Sequence, residues 1–312
     1  MTDHPHALGI DIGGTKIAAA VVAPDGGIVG LSQVQTPAAD GPDAVVNAAL
    51  GVARDALAQC VEQVLVCGVG TAGTVSSTGT ITQATSALPG WIGTDLQAAF
   101  HPALGIPVVV LNDVHAMAIG ESRYGAAAGF TDALVVAVGT GIGGGIVHRG
   151  RLVVGASGSA GSIGHIPVPS PARRRCPCGG WNHLEAHAAG PAIEASYAET
   201  TGWSIRLPAI ATSARAGDPI ACSVINEAAT VLGRALGGAV NLLDPDVLVI
   251  GGGVAALQDL ITEPLRRGLD EEALPGPDRI KLRFSKLGGI TAAIVGAATV
   301  AREQAAREHE RR

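Results

Sequence analysis

The chain has 312 residues, enough for two cores, and although 47% are hydrophobic no apolar run reaches the length of a membrane span. A net charge of −6 and a pI near 5.8 exclude a nucleic-acid-coating surface. Five cysteines are an odd count with two of them in one Cys-Pro-Cys motif, which fits a reducing compartment better than a disulfide framework. Together with an N-terminus, MTDHPHALGID, that has no signal-peptide design, this predicts a cytoplasmic protein.

In chain order, residues 8–22 (LGIDIGGTKIAAAVV) predict strand, tight turn, strand. Gly13 and Gly14 can take positive φ, and Thr15 and Lys16 add a hydroxyl and a cation at the tip. Asp11 is an acid on an otherwise apolar strand just before that turn, so a phosphate held there calls for a cation between them, magnesium being the usual one. Residues 28–36 continue the sheet, 42–60 form an amphipathic helix, and 64–70 form a buried strand. The glycines at 68, 70 and 73 make a G-x-G-x-x-G, but no helical pattern follows, which removes the dinucleotide reading. A short strand is expected at 79–83 and a turn at 88–91.

Residues 107–113 (PVVVLND) are again a buried strand, and the pattern turns helical from Asp113 to Tyr124. An Asn112-Asp113 pair at a strand's C-terminal end is where open α/β sheets place ligand-binding groups, although Asp113 could also simply cap the helix. Residues 132–148 repeat the strand–Gly turn–strand unit with Gly139-Thr140-Gly141 at its turn. A strand stands where a dinucleotide-binding helix would have to begin. Two such units suggest a pair of phosphate clamps facing a cleft.

Residues 160–187 (AGSIGHIPVPSPARRRCPCGGWNHLEAH) carry Cys176 and Cys178 with His165 upstream and His183 downstream. Two thiolates and two imidazoles match a closed, structural tetrahedral zinc site. The run Arg173-Arg174-Arg175 reads as a solvated loop edge. Helices follow at 191–200 and 218–243. A strand at 246–251 ends in Gly251-Gly252-Gly253, which permits close approach of a phosphorylated ligand to a helix expected over 254–267. A short strand at 282–284, a helix at 288–303 and a charged, frayed tail complete the chain.

These pieces resemble the ROK family (repressors, open reading frames and sugar kinases) along essentially the whole chain. The matching stretches are DIGGTK at 11–16, LND at 111–113, GTGIGGG at 139–145, GHIPV at 164–168 and CPCG at 176–179. LEA at 184–186, GPAI at 190–193, DPDVLVIGGGV at 244–254 and GAA at 296–298 complete the set. The resemblance implies an α/β, actin/hexokinase-like (ribonuclease H-like) two-domain ATPase fold with sugar and ATP in the interdomain cleft. It places one domain at 1–115, completed by the C-terminal helix 290–312, and a larger domain carrying the zinc loop at 116–289.

It further implies that Asp113 is the catalytic base and that Asn112, His165 and Glu185 hold the sugar. The turns at Gly13-Gly14-Thr15-Lys16 and Gly139-Thr140-Gly141, with Gly251–Gly253, fall where the family binds ATP. Two departures stand out: His183 replaces a third zinc-loop cysteine, and Ser162 replaces the Glu of an E-x-G-H motif that accepts sugar hydroxyls. The family's N-acetylmannosamine kinases also lack that Glu, so an ATP- and Mg2+-dependent kinase of an N-acylhexosamine is expected ahead of a glucokinase. The rivals are a sugar-sensing regulator without its DNA-binding domain and a sugar-binding protein that has lost turnover. Polyphosphate stays open as an alternative donor, and the resemblance implies a homodimer or homotetramer.

Overall fold

The structure, a computed structural model, describes residues 5–85, 87–170, 173–275 and 280–311. By contact the chain forms two compact units. The first takes in residues up to 131, then 145–160 and 286 onward; the second takes in 132–144 and 161–285.

The first unit is built on a five-stranded sheet. Its strands are β1 (His6–Ile12), β2 (Lys16–Val22), β3 (Ile28–Gln35), β4 (Val64–Thr71) and β7 (Val108–Asn112), in the order β3-β2-β1-β4-β7. β1–β2 and β2–β3 are antiparallel hairpins, whereas β1–β4 and β4–β7 run parallel. Side chains alternate across the sheet. Leu8, Ile10, Ile12, Ile17 and Val21 point to the face covered by α1 (Pro42–Ala58), whose Val45, Ala49, Val52 and Ala56 complete that core.

The other face is made of small residues. Ala7, Ala18 and Ala20 pack under Ile294, Val295 and Ala298 of α9 (Gly289–Arg311). Gly9 and Gly68 lie on the same face, and a Cβ on either would run into the carbonyl of Ile294 or Ala297. α9 therefore seats close on the strands, and α3 (Asp113–Tyr124) packs beside it, with Gly120 and Gly296 removing the side chains from their contact. This packing is why the first unit extends past 115, the boundary expected from sequence.

A small hairpin of β5 (Thr74–Val75) and β6 (Ile81–Gln83) follows β4, and α2 (Leu96–Leu104) leads into β7. α2 lies in a stretch for which the sequence reading gave no element. Yet Asp95 caps it by accepting from the Ala98 N–H at 2.9 Å, and Gly105 ends it in the left-handed region.

The second sheet runs β10-β9-β8-β11-β12, with β8 (Ala133–Val138), β9 (Ile142–His148), β10 (Arg151–Val153), β11 (Val247–Gly251) and β12 (Lys281–Phe284). β11 pairs parallel with both β8 and β12. The second unit's helices are α4 (Glu185–Ala188), α5 (Gly190–Thr201), α6 (Leu207–Arg215), α7 (Pro219–Leu243) and α8 (Gln258–Glu272). α7 starts where Asp218 accepts from Ile220 and Ala221. Two expectations are corrected here. The helix expected over 254–267 is a 3-10 turn at Gly253–Leu257 followed by α8, and the tail expected to fray continues α9 to Arg311.

Candidate active site

Each unit carries its own set of the residues singled out in the sequence. In the first unit Asp11 lies on β1 with Gly9 and Ala7 on the α9 face, and it is 8% exposed. Its ladder neighbour on β4 is Gly70, where a Cβ would stand 3.6 Å from the Asp113 Cα. The two carboxyls lie close enough for their charges to interact. Burial, and secondly the negative charge of Asp113, hold the Asp11 carboxyl well above the usual range. Burial also raises Asp113, against the lowering effect of the N–H groups it accepts from.

Asp113 does not cap α3. Asn112 does, its Oδ1 accepting from the Val114 N–H at 2.9 Å and the His115 N–H at 3.1 Å. Asn112 Nδ2 donates to the Gly73 carbonyl at 3.0 Å and to Asp113 Oδ1 at 2.9 Å. Its amide is therefore engaged within the protein, and one of its N–H groups holds Asp113 Oδ1. Asp113 Oδ1 also accepts from the Val114 N–H at 2.9 Å, and among the described residues no side chain besides that of Asn112 hydrogen-bonds the carboxylate.

The first turn is closed by the Gly13 N–H donating to the Lys16 carbonyl at 3.0 Å, while Thr36 Oγ1 donates to the Gly13 carbonyl at 2.7 Å. Gly13 and Gly14 do not use the positive φ open to them. Gly14 is required by space instead, since a Cβ there would lie 2.7 Å from that of Ala87. Thr15 and Lys16 are exposed at the tip.

In the second unit the Gly139 N–H donates to the Gly141 carbonyl at 2.8 Å, and the Gly139 carbonyl accepts from the Gly190 N–H at 2.9 Å. Thr140 sits exposed between them. Gly251 ends β11, Gly252 takes φ 80° against the Val138 backbone, and Gly253 faces open space. A Cβ on Gly139 would stand 3.8 Å from the Gly253 nitrogen, so these two glycine turns share one wall. Glu185 opens α4, is buried, and accepts from the Ile142 N–H at 2.8 Å through Oε2. Its Oε1 faces the Cys176 thiol at 3.8 Å. A side chain at Gly141 would collide with this carboxylate. Glu185 thus joins the glycine turn to the cysteine loop.

That loop is a hairpin in which the Cys176 N–H donates to the Gly180 carbonyl and the Asn182 N–H to that of Arg174. It brings His165, Cys176, Cys178 and His183 together, with their ligand atoms within 4.8 Å of one another. Two sulfurs and two ring nitrogens at that spacing suit a tetrahedral divalent metal. Burial pushes the Cys176 thiol up to about 12, so a cation would be needed to hold the thiolate there. Ser162 precedes the 3-10 turn Ile163–His165, which carries His165, and Gly144 and Gly164 let this segment lie against β9.

The sequence reading missed His115. It is 4% exposed, two residues past Asp113, and its Nε2 stands 2.7 Å from the Ala160 carbonyl. A histidine at i+2 from an acid on a helix gives no signal by itself; its partner comes from 45 residues away.

Comparison with known proteins follows these features closely. The ROK family pattern matches residues 7–304. The chain belongs to the ROK family. It is 32% identical over 316 residues to a glucokinase of Streptomyces coelicolor, covering 95% of this chain and 97% of that one. It is 34% identical over 280 residues to an N-acetylmannosamine kinase of Yersinia pseudotuberculosis, covering 88% and 91%. The crystal structure of a ROK glucokinase from Streptomyces griseus in complex with glucose and AMPPNP superposes with a TM-score of 0.84 at 33% identity, over 96% of this chain and 99% of that one. The α/β, actin/hexokinase-like fold class expected from sequence is the one these relatives share.

Proposed function

We propose that this ROK protein is an ATP- and Mg2+-dependent kinase of the 6-hydroxyl of an N-acylhexosamine, with N-acetylmannosamine ahead of glucose. The observation that carries the reaction type is Asp113: a half-buried carboxylate at a strand's end, aimed by Asn112 through one oxygen, with its pKa raised above the ordinary carboxylate value. It takes the proton from the sugar hydroxyl as that oxygen attacks the γ-phosphorus, and the bond to the β-phosphate oxygen breaks to release ADP. Catalysis of this kind is mainly positioning and electrostatics. In the turns at Gly13–Lys16 and Gly139–Gly141 the Gly13 and Gly139 N–H groups close the turn and the remaining backbone N–H groups hold phosphate oxygens, and Gly251–Gly253 admit the nucleotide. The Asp11–Asp113 pair fits a divalent cation, because two buried like charges need a positive partner. Mg2+ bound with the nucleotide supplies that charge.

His165, Cys176, Cys178 and His183 fit structural zinc by number, type and spacing. Metallation through one ring nitrogen fixes the plane of His165, leaving the other nitrogen for a sugar hydroxyl. Ser162 supports the acetamido sugar, since it is shorter than the family's Glu and its hydroxyl can meet an amide carbonyl. A glucokinase is the second reading, supported by identity to the Streptomyces coelicolor enzyme that matches the level seen for the Yersinia kinase.

The test is kcat/KM for N-acetylmannosamine, N-acetylglucosamine, glucose and mannose in the wild type and in Ser162→Glu. An acetamido sugar should lead in the wild type, with the variant shifting towards glucose. If glucose leads in the wild type, the second reading stands. Asp113→Asn in the same assay should cost roughly 10²–10⁴-fold in turnover while leaving sugar binding nearly intact, and near-normal turnover removes Asp113 from the mechanism.

A further inference from the structure

A cavity of about 640 Å³ lies wholly within the first unit, along the outer edge of β7. Asn112 and His115, the neighbours of Asp113 in sequence, contribute to its lining. Its floor is the strand itself, with Val108, Val110 and Leu111, and its walls come from the β5–β6 hairpin and from residues 154–159.

The chemistry of the lining is specific in one respect. Among the described residues, no Asp, Glu, Lys or Arg contributes to it. A neighbouring cavity, by contrast, is lined by Asp95 and Glu308. The neutral cavity is rich in hydroxyls and amides, and among the described residues the side chains of Thr74, Ser77, Gln83 and Gln97 have no hydrogen-bond partner in the protein. His115 contributes a ring whose Nε2 already serves the Ala160 carbonyl. A charged ligand would leave water here without gaining a counter-charge. An aliphatic one would strand the amides and hydroxyls. A pyranose ring meets both demands, with hydroxyls for the walls and an apolar C–H face for the valines. The volume falls within the range of small-molecule sites.

We infer that this cavity is a subsite for a second, neutral saccharide ring. This rests on the sugar-kinase reading for its choice of saccharide, but not for the cavity's neutrality. The ring could be joined to the sugar that is phosphorylated, or it could be a separate molecule, and the experiment separates these sources.

Maltose, cellobiose and lactose, with N-acetylmannosamine and glucose as monosaccharides, are titrated calorimetrically and assayed by ADP release. The proteins are the wild type, Ser157→Trp and Ser77→Trp, both replaced positions being exposed. The expected result is that at least one disaccharide binds and loses tenfold or more in affinity in both Trp variants, while monosaccharide kcat/KM stays within twofold. Phosphorylation of that disaccharide assigns the ring to the substrate. Two monosaccharides per chain, the weaker lost in the Trp variants, assigns it to a separate sugar. One saccharide per chain, bound equally by all three proteins, overturns the subsite. Absence of ATP-dependent turnover with every monosaccharide counts against the kinase reading instead, and the calorimetric comparison still reads the cavity.

Discussion

At the scale of single residues, the site depends on groups that hold other groups. Asn112 spends all its hydrogen bonds on aiming Asp113 and starting α3, and Glu185 spends its Oε2 on the Ile142 N–H. The family resemblance implies that both also meet the sugar; the structure adds what each already bonds within the protein. His115 is the positioning residue the sequence concealed. Its bond to the Ala160 carbonyl ties the helix that carries Asp113 to the residue before Gly161 and Ser162. His115→Leu strands that carbonyl, a cost of about 1–3 kcal/mol when buried. Sugar KM should rise several-fold with ATP KM unchanged, and His115→Gln, whose amide can still donate, should restore most of the loss. Equal changes in both KM values, or no rescue by Gln, would reduce His115 to a packing role.

At the scale of elements, the hairpins were legible because each announces itself twice, by period-2 alternation and by a turn rich in glycine. β1 through β3, α1, β4 and β7–α3 fell within a few residues of expectation for that reason. α2 and α6 escaped since each is nine residues long and carries a proline, so their apolar period is short and interrupted. The reason for Gly14 was also hidden, because Ala87 comes from a distant turn. In the cysteine loop, spacing alone named four ligand candidates, and the hairpin of residues 174–182 supplies the geometry that gathers their donor atoms. Cys176→Ser combined with Cys178→Ser should lower bound zinc from about one per chain to none by elemental analysis. It should also weaken sugar binding, because His165 and Glu185 lose their common anchor. Wild-type protein without zinc, active after chelation, would refute the metal assignment.

At the scale of the whole molecule, ionisation links the site to stability. Asp11 is an uncommon case, a carboxyl whose folded pKa lies above its unfolded one. The sign is therefore reversed from that of a salt-bridged acid. Ionised Asp11 destabilises the fold, fully so above its folded pKa, and the penalty fades as pH falls towards the unfolded value. Each pKa unit between the two states corresponds to about 1.4 kcal/mol at neutral pH. Other groups oppose this trend. The Asp259 carboxyl is held low by its hydrogen bond to Arg215 and loses that contribution as pH falls, though both are exposed and the pair weighs little. His187 is held below its usual value chiefly by burial, so acid favours the unfolded chain there. A single pH–stability curve mixes these with Asp113, whose raised carboxyl acts in the same sense as Asp11, whereas the difference between wild type and Asp11→Asn reads Asp11 together with its coupling to Asp113. In denaturant titrations without Mg2+, Asp11→Asn should be more stable than wild type at pH 7–8, with the gap closing as pH approaches the ordinary carboxylate range. Adding Mg2+ should raise wild-type stability more than that of the variant, because only the wild type keeps the Asp11–Asp113 pair for the cation. A variant less stable than wild type at neutral pH, with no response of either protein to Mg2+, would show that Asp11 already has its partner within the fold.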